Sequence, residues 1–456
     1  MTSEAHRYMT VSAPRSAEAH LLETPRLHGD GAGGSSPECS VQHHVFIADG
    51  SQLFDADESL FSRFNAAFGD GSVASLLTSL GFSEKPRIDD TPLAPPPIHA
   101  LSLAVAQKCN LGCTYCYAQQ GEFGGTAKSM PEEVAMESVR LLISGAEPGA
   151  KLNLSFLGGE PLAGRAVIYA ATRYASALAA ERGCPISFSI TTNGTLLTEA
   201  DAEFFETFGF AVTISMDGPR ETHNLLRPFR DGRGSFDVVL KRSQPLLALQ
   251  RRMQVSARVT VTPQNPELRR TLDEFIGLGF HSVGFSPMLS SPNGKGEMQP
   301  RDLEAMLEQM LDCGREFERR TLLRQRYPFA NMTNALREIE RGTHRPYPCG
   351  AGAGYLGVSA DGDLSACHRF VGDEAGAMGS LSEGIDLSRQ TQWLTERHVH
   401  TQEPCSGCWA RYLCGGGCHH EVIRRGRPAC DYIRGWLHYC LEAYLRLSQA
   451  NAVSPL

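Results

Sequence analysis

Long apolar runs are the first thing this 456-residue chain lacks. No stretch approaches the ~18 residues that a membrane-spanning helix needs, and the first forty residues contain no signal-peptide core. Both absences point to a cytoplasmic protein with no membrane partner. A cationic excess is missing too. Acidic side chains number 51 against 43 basic ones, and the net charge of −8 offers no general attraction to nucleic acid. Neither length nor cysteine is in short supply. At about 150 residues per domain, two to three domains with ample core are expected. Fourteen cysteines with clustered spacings, in a long chain without a secretion signal, suggest metal rather than disulfides.

The sharpest cluster is KCNLGCTYCYA, where Cys109, Cys113 and Cys116 follow an apolar strand with CxxxCxxC spacing. Alone, such a motif also suits a zinc site or three unrelated buried cysteines. Downstream, the apolar run LNLSFL ends in Gly158-Gly159-Glu160-Pro161, and glycines at a strand end let backbone groups approach a ligand closely. The two motifs together resemble those of radical S-adenosylmethionine (SAM) enzymes. The resemblance implies that the three thiolates hold a [4Fe–4S] cluster whose open iron chelates SAM, the source of a 5'-deoxyadenosyl radical. It places Tyr115 near the adenine, and Gly158, Gly159 and Glu160 at the SAM amino group.

Along the chain, residues 1–40 lack periodicity and are expected to be a disordered extension. Residues 41–98 read as a hairpin turning at Asp49-Gly50, then a helix and a proline-rich linker from Lys85 to Pro97. This piece weakly resembles small leader-peptide recognition folds, and a plain cap on the following domain is an equal alternative. Residues 99–310 alternate β-rich runs with amphipathic helices, with six strands expected near 100–106, 151–157, 186–192, 210–216, 254–262 and 281–286. Ser129 and Glu132 suggest a capping box. The alternation makes the fold class α/β, and the resemblance to radical SAM enzymes implies a partial (β/α)6 barrel, followed by a helical bridge over 311–348, a cysteine-rich domain over 349–445 and a tail over 446–456. Motifs at strand ends converge on one barrel mouth. There the resemblance sets Asn193, Ser215 and Asp217 around SAM, and Arg258 is a candidate for its carboxylate.

The last third carries Cys349, Gly362 and Cys367, then Cys405, Cys408, Cys414, Cys418 and Cys430. Zinc takes CxxC pairs in sets of four, but these seven cysteines closely resemble the SPASM extension of radical SAM enzymes that modify peptides. That resemblance implies two auxiliary iron-sulfur clusters, the first on Cys349, Cys367 and Cys418 and the second on Cys405, Cys408, Cys414 and Cys430. The first set is one cysteine short, leaving it open to a substrate thiol or closed by another ligand. Cys440 is an alternative to Cys430. Cys39, Cys184 and Cys313 have no partner spacing and read as structural.

The extension points to a ribosomally made peptide or small protein as substrate, with a flavodoxin- or ferredoxin-type electron donor. Sulfatase maturases of this family carry an aspartate directly after the second cysteine of the extension, where this chain has His368. CTYCYAQQGEFGG, SITTNGT and CDYIRGWLHYC most resemble maturation proteins of quinohemoprotein amine dehydrogenase, which join cysteine sulfur to side-chain carbons of aspartate and glutamate in a small, cysteine-containing subunit. The expected activity is thus thioether formation. Alternatives are carbon–carbon cross-linking, epimerisation, sulfatase-maturase-like oxidation and, without enzymatic activity, a zinc-binding scaffold. Asp361, Asp363, His368, His419, His420 and Glu421 are candidates for the base that takes the thiol proton.

Overall fold

A computed structural model describes residues 3–25, 41–89 and 94–450 of the chain; Cys39 and the end of the C-terminal tail lie outside the described residues. For its described part, the expected disordered extension is corrected. Glu4–Val11 is a helix and Ala19–Pro25 is a strand, β1. β1 pairs antiparallel with β2 (Val41–Ile47), which pairs with β3 (Gln52–Ala56) across a turn in which Gly50 has φ 83°. One face of this sheet buries Ala19, Val45 and Ile47 against Phe64 and Ala67 of the helix Glu58–Asp70. That helix starts at Asp57, whose side chain accepts from Leu60 N at 2.7 Å, and stops at Gly71 with φ 77°. The other face turns Leu22 and Phe46 into the main core. Order at the N-terminus comes from remote partners: Trp409 Nε1 donates to the Ser12 carbonyl at 2.9 Å, and its ring stacks on His20 at 4.0 Å.

The main sheet begins with β4 (Ala100–Gln107), whose end pairs antiparallel with the two-residue β5 (Lys128–Ser129). β6 (Leu152–Gly158), β7 (Ile186–Thr192), β8 (Ala211–Ser215), β9 (Gln254–Val261) and β10 (Ser282–Pro287) then line up beside β4, all parallel and in chain order. A helix follows each of the six, which makes a partial (β/α)6 barrel. Side chains alternate as a half-buried strand requires. On β9, Val255, Ala257, Val259 and Val261 enter the core, while Ser256, Arg258 and Thr260 take the opposite, polar face. Serines join strands across that inner face, Ser155 to Ser189 at 2.7 Å and Ser256 to Ser282 at 2.8 Å.

Three further expectations change. Ser129 does not cap a helix, because it is drawn into β5; the helix Glu132–Ser144 starts after Pro131 with no side-chain cap. The boundary at 310 falls inside one continuous helix, Pro300–Leu322, and the C-terminal helix Cys430–Gln449 runs past residue 445. The cysteine-rich region is no detached unit. Its strand β11 (Tyr355–Val358) pairs in parallel with Ala100–Leu103 of β4, and β12 (Asp363–Ser365), β13 (Ala377–Ser380) and β14 (Gly384–Ile385) extend the same sheet. Among the described residues, no helix is long and apolar enough to cross a membrane.

Candidate active site

The loop with Cys109, Cys113 and Cys116 leaves the carboxyl end of β4 and is held from two sides. On one, Gly112 N donates to Pro228 O at 2.8 Å, Thr114 N to Leu226 O at 3.2 Å, and Arg230 N to Asn110 O at 3.3 Å. On the other lies the Gly158-Gly159 turn, where Gly159 N donates to Ala106 O at 2.8 Å and Glu160 N to Lys108 O at 2.9 Å. A Cβ on Gly159 would sit 2.6 Å from the Lys108 carbonyl carbon and 2.7 Å from Gly121 Cα. The neighbour that demands glycine here is the cysteine loop's own backbone.

Glu160 and Asn193 are fixed by protein partners. The fully buried Glu160 carboxylate accepts from Thr192 Oγ1 at 2.7 Å, Asn193 N at 2.8 Å and Leu162 N at 3.0 Å, tying the end of β6 to that of β7. Burial raises its pKa, and the hydrogen bond from Asn193 N opposes the rise. Asn193 Nδ2 donates to Asn110 Oδ1 at 2.9 Å and lies 3.6 Å from Cys109 Sγ.

Tyr115 and Asp217 meet in a buried triad completed by Arg227, a residue outside the sequence motifs. The Tyr115 hydroxyl donates to Asp217 and accepts from Arg227 Nη1 at 2.6 Å; Arg227 lies 3.5 Å from the carboxylate, and Thr260 N donates to it at 2.9 Å. The Tyr115 ring packs with Leu226 and Met288. Burial pushes the Asp217 carboxyl up, and Arg227 opposes that. Burial likewise pushes the Cys113 thiol up to about 12, again opposed by Arg227. A signal for Arg227 did exist: it is the cation in LLRPF that follows the aspartate of SMDGP. Ser215 and Arg258 stand side by side in the β8–β9 register. Arg258 reaches Ser286 on β10 and is ringed by protein yet open to solvent, as a side chain inside a barrel mouth is.

In the C-terminal region, Cys349, Cys367 and Cys418 lie within electrostatic reach of one another. Cys405, Cys408, Cys414 and Cys430 line one cavity, and Gly416, Gly417, Cys418 and Glu421 line it too. Cys440 lies elsewhere, fully buried with its Sγ 3.9 Å from Met332 Sδ. Five buried arginine Nε–H groups have no acceptor among the described residues: those of Arg227, Arg345, Arg369, Arg411 and Arg434. Each neighbours a cysteine. Arg227 acts on Cys113, Arg345 on Cys349 and Arg434 on Cys430, Arg369 donates to Cys418 Sγ at 3.6 Å, and Arg411 donates to the Cys408 carbonyl at 3.3 Å. Cations whose Nε–H groups are buried and unpaired fit anionic thiolate clusters whose inorganic sulfides accept hydrogen bonds.

The candidate bases separate. His368 Nδ1 bonds the Tyr355 hydroxyl at 2.9 Å, which itself donates to Ser102 Oγ at 2.8 Å. His368 and His420 both approach the ring of Tyr117, the residue after Cys116, with centroids 6.1 and 6.4 Å away. His419 packs on Trp393, Glu421 pairs with Arg369, Asp363 accepts from Ser359, and Asp361 joins a half-exposed ion pair with Lys128.

Residues 103–276, which take in the cysteine loop and most of the parallel sheet, match the Radical SAM superfamily. That class takes a [4Fe–4S] cluster and SAM, which the residues around Cys109, Cys113 and Cys116 fit. The chain is 27% identical over 358 residues to the serine-type anaerobic sulfatase-maturating enzyme of Klebsiella aerogenes, covering 75% of this chain and 85% of that one. It is 25% identical over 369 residues to the cysteine-type enzyme of Clostridium perfringens (strain ATCC 13124), covering 76% and 95%. Among solved structures, native anSMEcpe with bound AdoMet superposes with a TM-score of 0.64 at 23% identity, over 78% of this chain and 99% of that one.

Proposed function

We propose that this chain is a radical SAM maturase of a peptide or small protein. In this reading Cys109, Cys113 and Cys116 hold the SAM-binding cluster, Cys349, Cys367 and Cys418 a first auxiliary cluster, and Cys405, Cys408, Cys414 and Cys430 a second. One observation carries it: the parallel pairing of β11 with β4 sets His368, next to Cys367, against Tyr117, next to Cys116. Radical generation and a site able to take an electron would then meet across this contact. The similarity to sulfatase-maturating enzymes over three quarters of the chain supports peptide as the substrate class.

When bound, SAM and the clusters supply an adenosyl radical and a sink for one electron. The chain's own residues do the remaining work. Ser215 and Arg258 face the mouth, suited to a ribose hydroxyl and the SAM carboxylate, while Tyr115, Glu160, Asn193 and Asp217 hold the loop in place. The substrate loses a side-chain hydrogen atom, a proton and an electron. His368 is the candidate for the proton: its Nδ1 bonds the Tyr355 hydroxyl, burial holds its pKa down to about 4 so that the ring is neutral, and a neutral ring with its hydrogen on Nδ1 has Nε2 as an acceptor. A flavodoxin- or ferredoxin-type protein would supply electrons.

Sulfatase-maturase-like oxidation of a serine or cysteine side chain is the reading that the relatives favour. Thioether formation, as in maturation of the quinohemoprotein amine dehydrogenase small subunit, is kept as a second reading because His368 stands where sulfatase maturases carry aspartate. The test is anaerobic incubation of reconstituted protein with SAM, dithionite and serine- or cysteine-containing peptides. Deoxyadenosine formation lost on Cys109→Ala, Cys113→Ala or Cys116→Ala is expected. A hydrazide-reactive aldehyde identifies oxidation; loss of two hydrogens together with an alkylatable thiol identifies the thioether. No deoxyadenosine from iron-replete protein would overturn the proposal.

A further inference from the structure

Arg369 occupies the contact between the radical SAM loop and the first C-terminal cysteine set. Its Nη1 lies 3.6 Å from Cys418 Sγ and 2.7 Å from Glu421 Oε1, and its guanidinium carbon stands 5.2 Å from the centroid of the Tyr117 ring. Tyr117 is bonded in sequence to Cys116 and feels the charge of both Cys116 and Cys367. The Arg369 and Glu421 side chains are mostly buried, 18% and 17% exposed, so solvent screens their charges little. The buried Arg369 Nε–H has no acceptor among the described residues, leaving one donor for a group that the protein does not supply.

We propose that Arg369 sets the reduction potential of the group held by Cys349, Cys367 and Cys418, with Glu421 as its counterweight. This rests on the maturase reading above. Reduction adds negative charge at the site. A buried cation with one N–H at the Cys418 sulfur would stabilise the reduced form of a group held there and so raise its potential. Glu421 draws on the same guanidinium and pulls the potential down. Arg369 is a positioning residue: it acts through Cys418 and touches no substrate. The bonded Arg369–Glu421 pair makes the site's charge balance adjustable at two residues with opposite sign.

The experiment is a redox titration followed by electron paramagnetic resonance on reconstituted full-length protein, with the relevant signal identified as the one absent from Cys367→Ser. Arg369→Gln is expected to lower the midpoint of that signal by roughly a tenfold change in the reduction equilibrium, about 59 mV for one electron. Glu421→Gln is expected to raise it, and the other signals should hold their midpoints. A merely structural contact would not produce shifts of opposite sign. If Arg369→Gln fails to retain the group, the Glu421→Gln shift still decides. Unmoved midpoints, or movement in the same direction in both variants, would overturn the inference with the maturase reading intact. Wild-type protein showing no signal beyond that of the Cys109/Cys113/Cys116 site would overturn both.

Discussion

Arg227 donates a 2.6 Å hydrogen bond to the Tyr115 hydroxyl while standing 3.5 Å from the Asp217 carboxylate, so one buried cation joins the cysteine loop to the end of β8. Both charged groups are out of water, Asp217 entirely. Removing one partner of such a pair leaves the other uncompensated at a cost of about 3–5 kcal/mol. Arg227→Met is therefore expected to lower the unfolding free energy by about that amount, read by urea denaturation of the iron-free chain. Arg227→Met combined with Asp217→Asn should recover much of the loss, and equal losses in the single and double variants would show that the pair is not the cause.

Gly159 gives a second, more local prediction. A Cβ there would meet main-chain atoms of Lys108 and Gly121, neither of which a rotamer change can move aside. Gly159→Ala should displace the cysteine loop and lower the iron retained by the Cys109/Cys113/Cys116 site after reconstitution. Gly145, at the end of the helix Glu132–Ser144, has open space at its Cβ position and a φ of −87°. Gly145→Ala is the control and should retain full iron.

The parts of this architecture legible in the sequence were those written in local pattern. All six barrel strands appear within about two residues of expectation, because each is an apolar or alternating run bounded by turn residues. The cysteine motifs stood out by their spacing, whereas their division into sets came from the resemblance to the SPASM extension. Less visible was whatever depends on distant partners. Residues 4–25 look featureless until Trp409 and the C-terminal helix cover them, and four-residue β11 has no identity as a strand until β4 offers its edge. Glu160, Asn193 and Asp217 were found as motif residues, but their polar atoms turn out to be committed to neighbouring protein groups, a fact of geometry that no motif encodes.

Cys430 and Cys440 separate in space, and different behaviour is predicted for each. Cys430 lines the cavity shared with Cys405, Cys408 and Cys414, whereas Cys440 is packed against Met332 inside the core. Cys430→Ala is expected to reduce the iron bound per chain. Cys440→Ala should leave the iron unchanged and cost about 1–2 kcal/mol through a small cavity. Iron analysis beside a denaturation curve distinguishes them, and a loss of iron in the Cys440 variant alone would reverse the assignment.

Acid stability should depend on Glu316, far from any cysteine set. Its carboxylate accepts from Arg319 Nη2 at 2.6 Å and Nε at 2.8 Å and from Arg320 Nε at 2.7 Å, with Arg269 3.5 Å away on the preceding helix. The bonds from Arg319, helped by those from Arg320, hold its pKa down to about 2 against 4.5 for an ordinary glutamate. A carboxyl with a depressed folded pKa binds fewer protons folded than unfolded, so its stabilisation is complete above about 4.5 and fades as pH falls toward about 2. Glu316→Gln removes the charge, and at neutral pH it should cost about 1–2 kcal/mol, since all three arginines remain in partial contact with water. The difference between wild type and variant should shrink steadily on acidification below pH 4.5, as followed by denaturation midpoints across that range. A difference that stays constant with pH would mean that packing of the Glu316 side chain, and not its charge, ties Arg269 to the helix Pro300–Leu322.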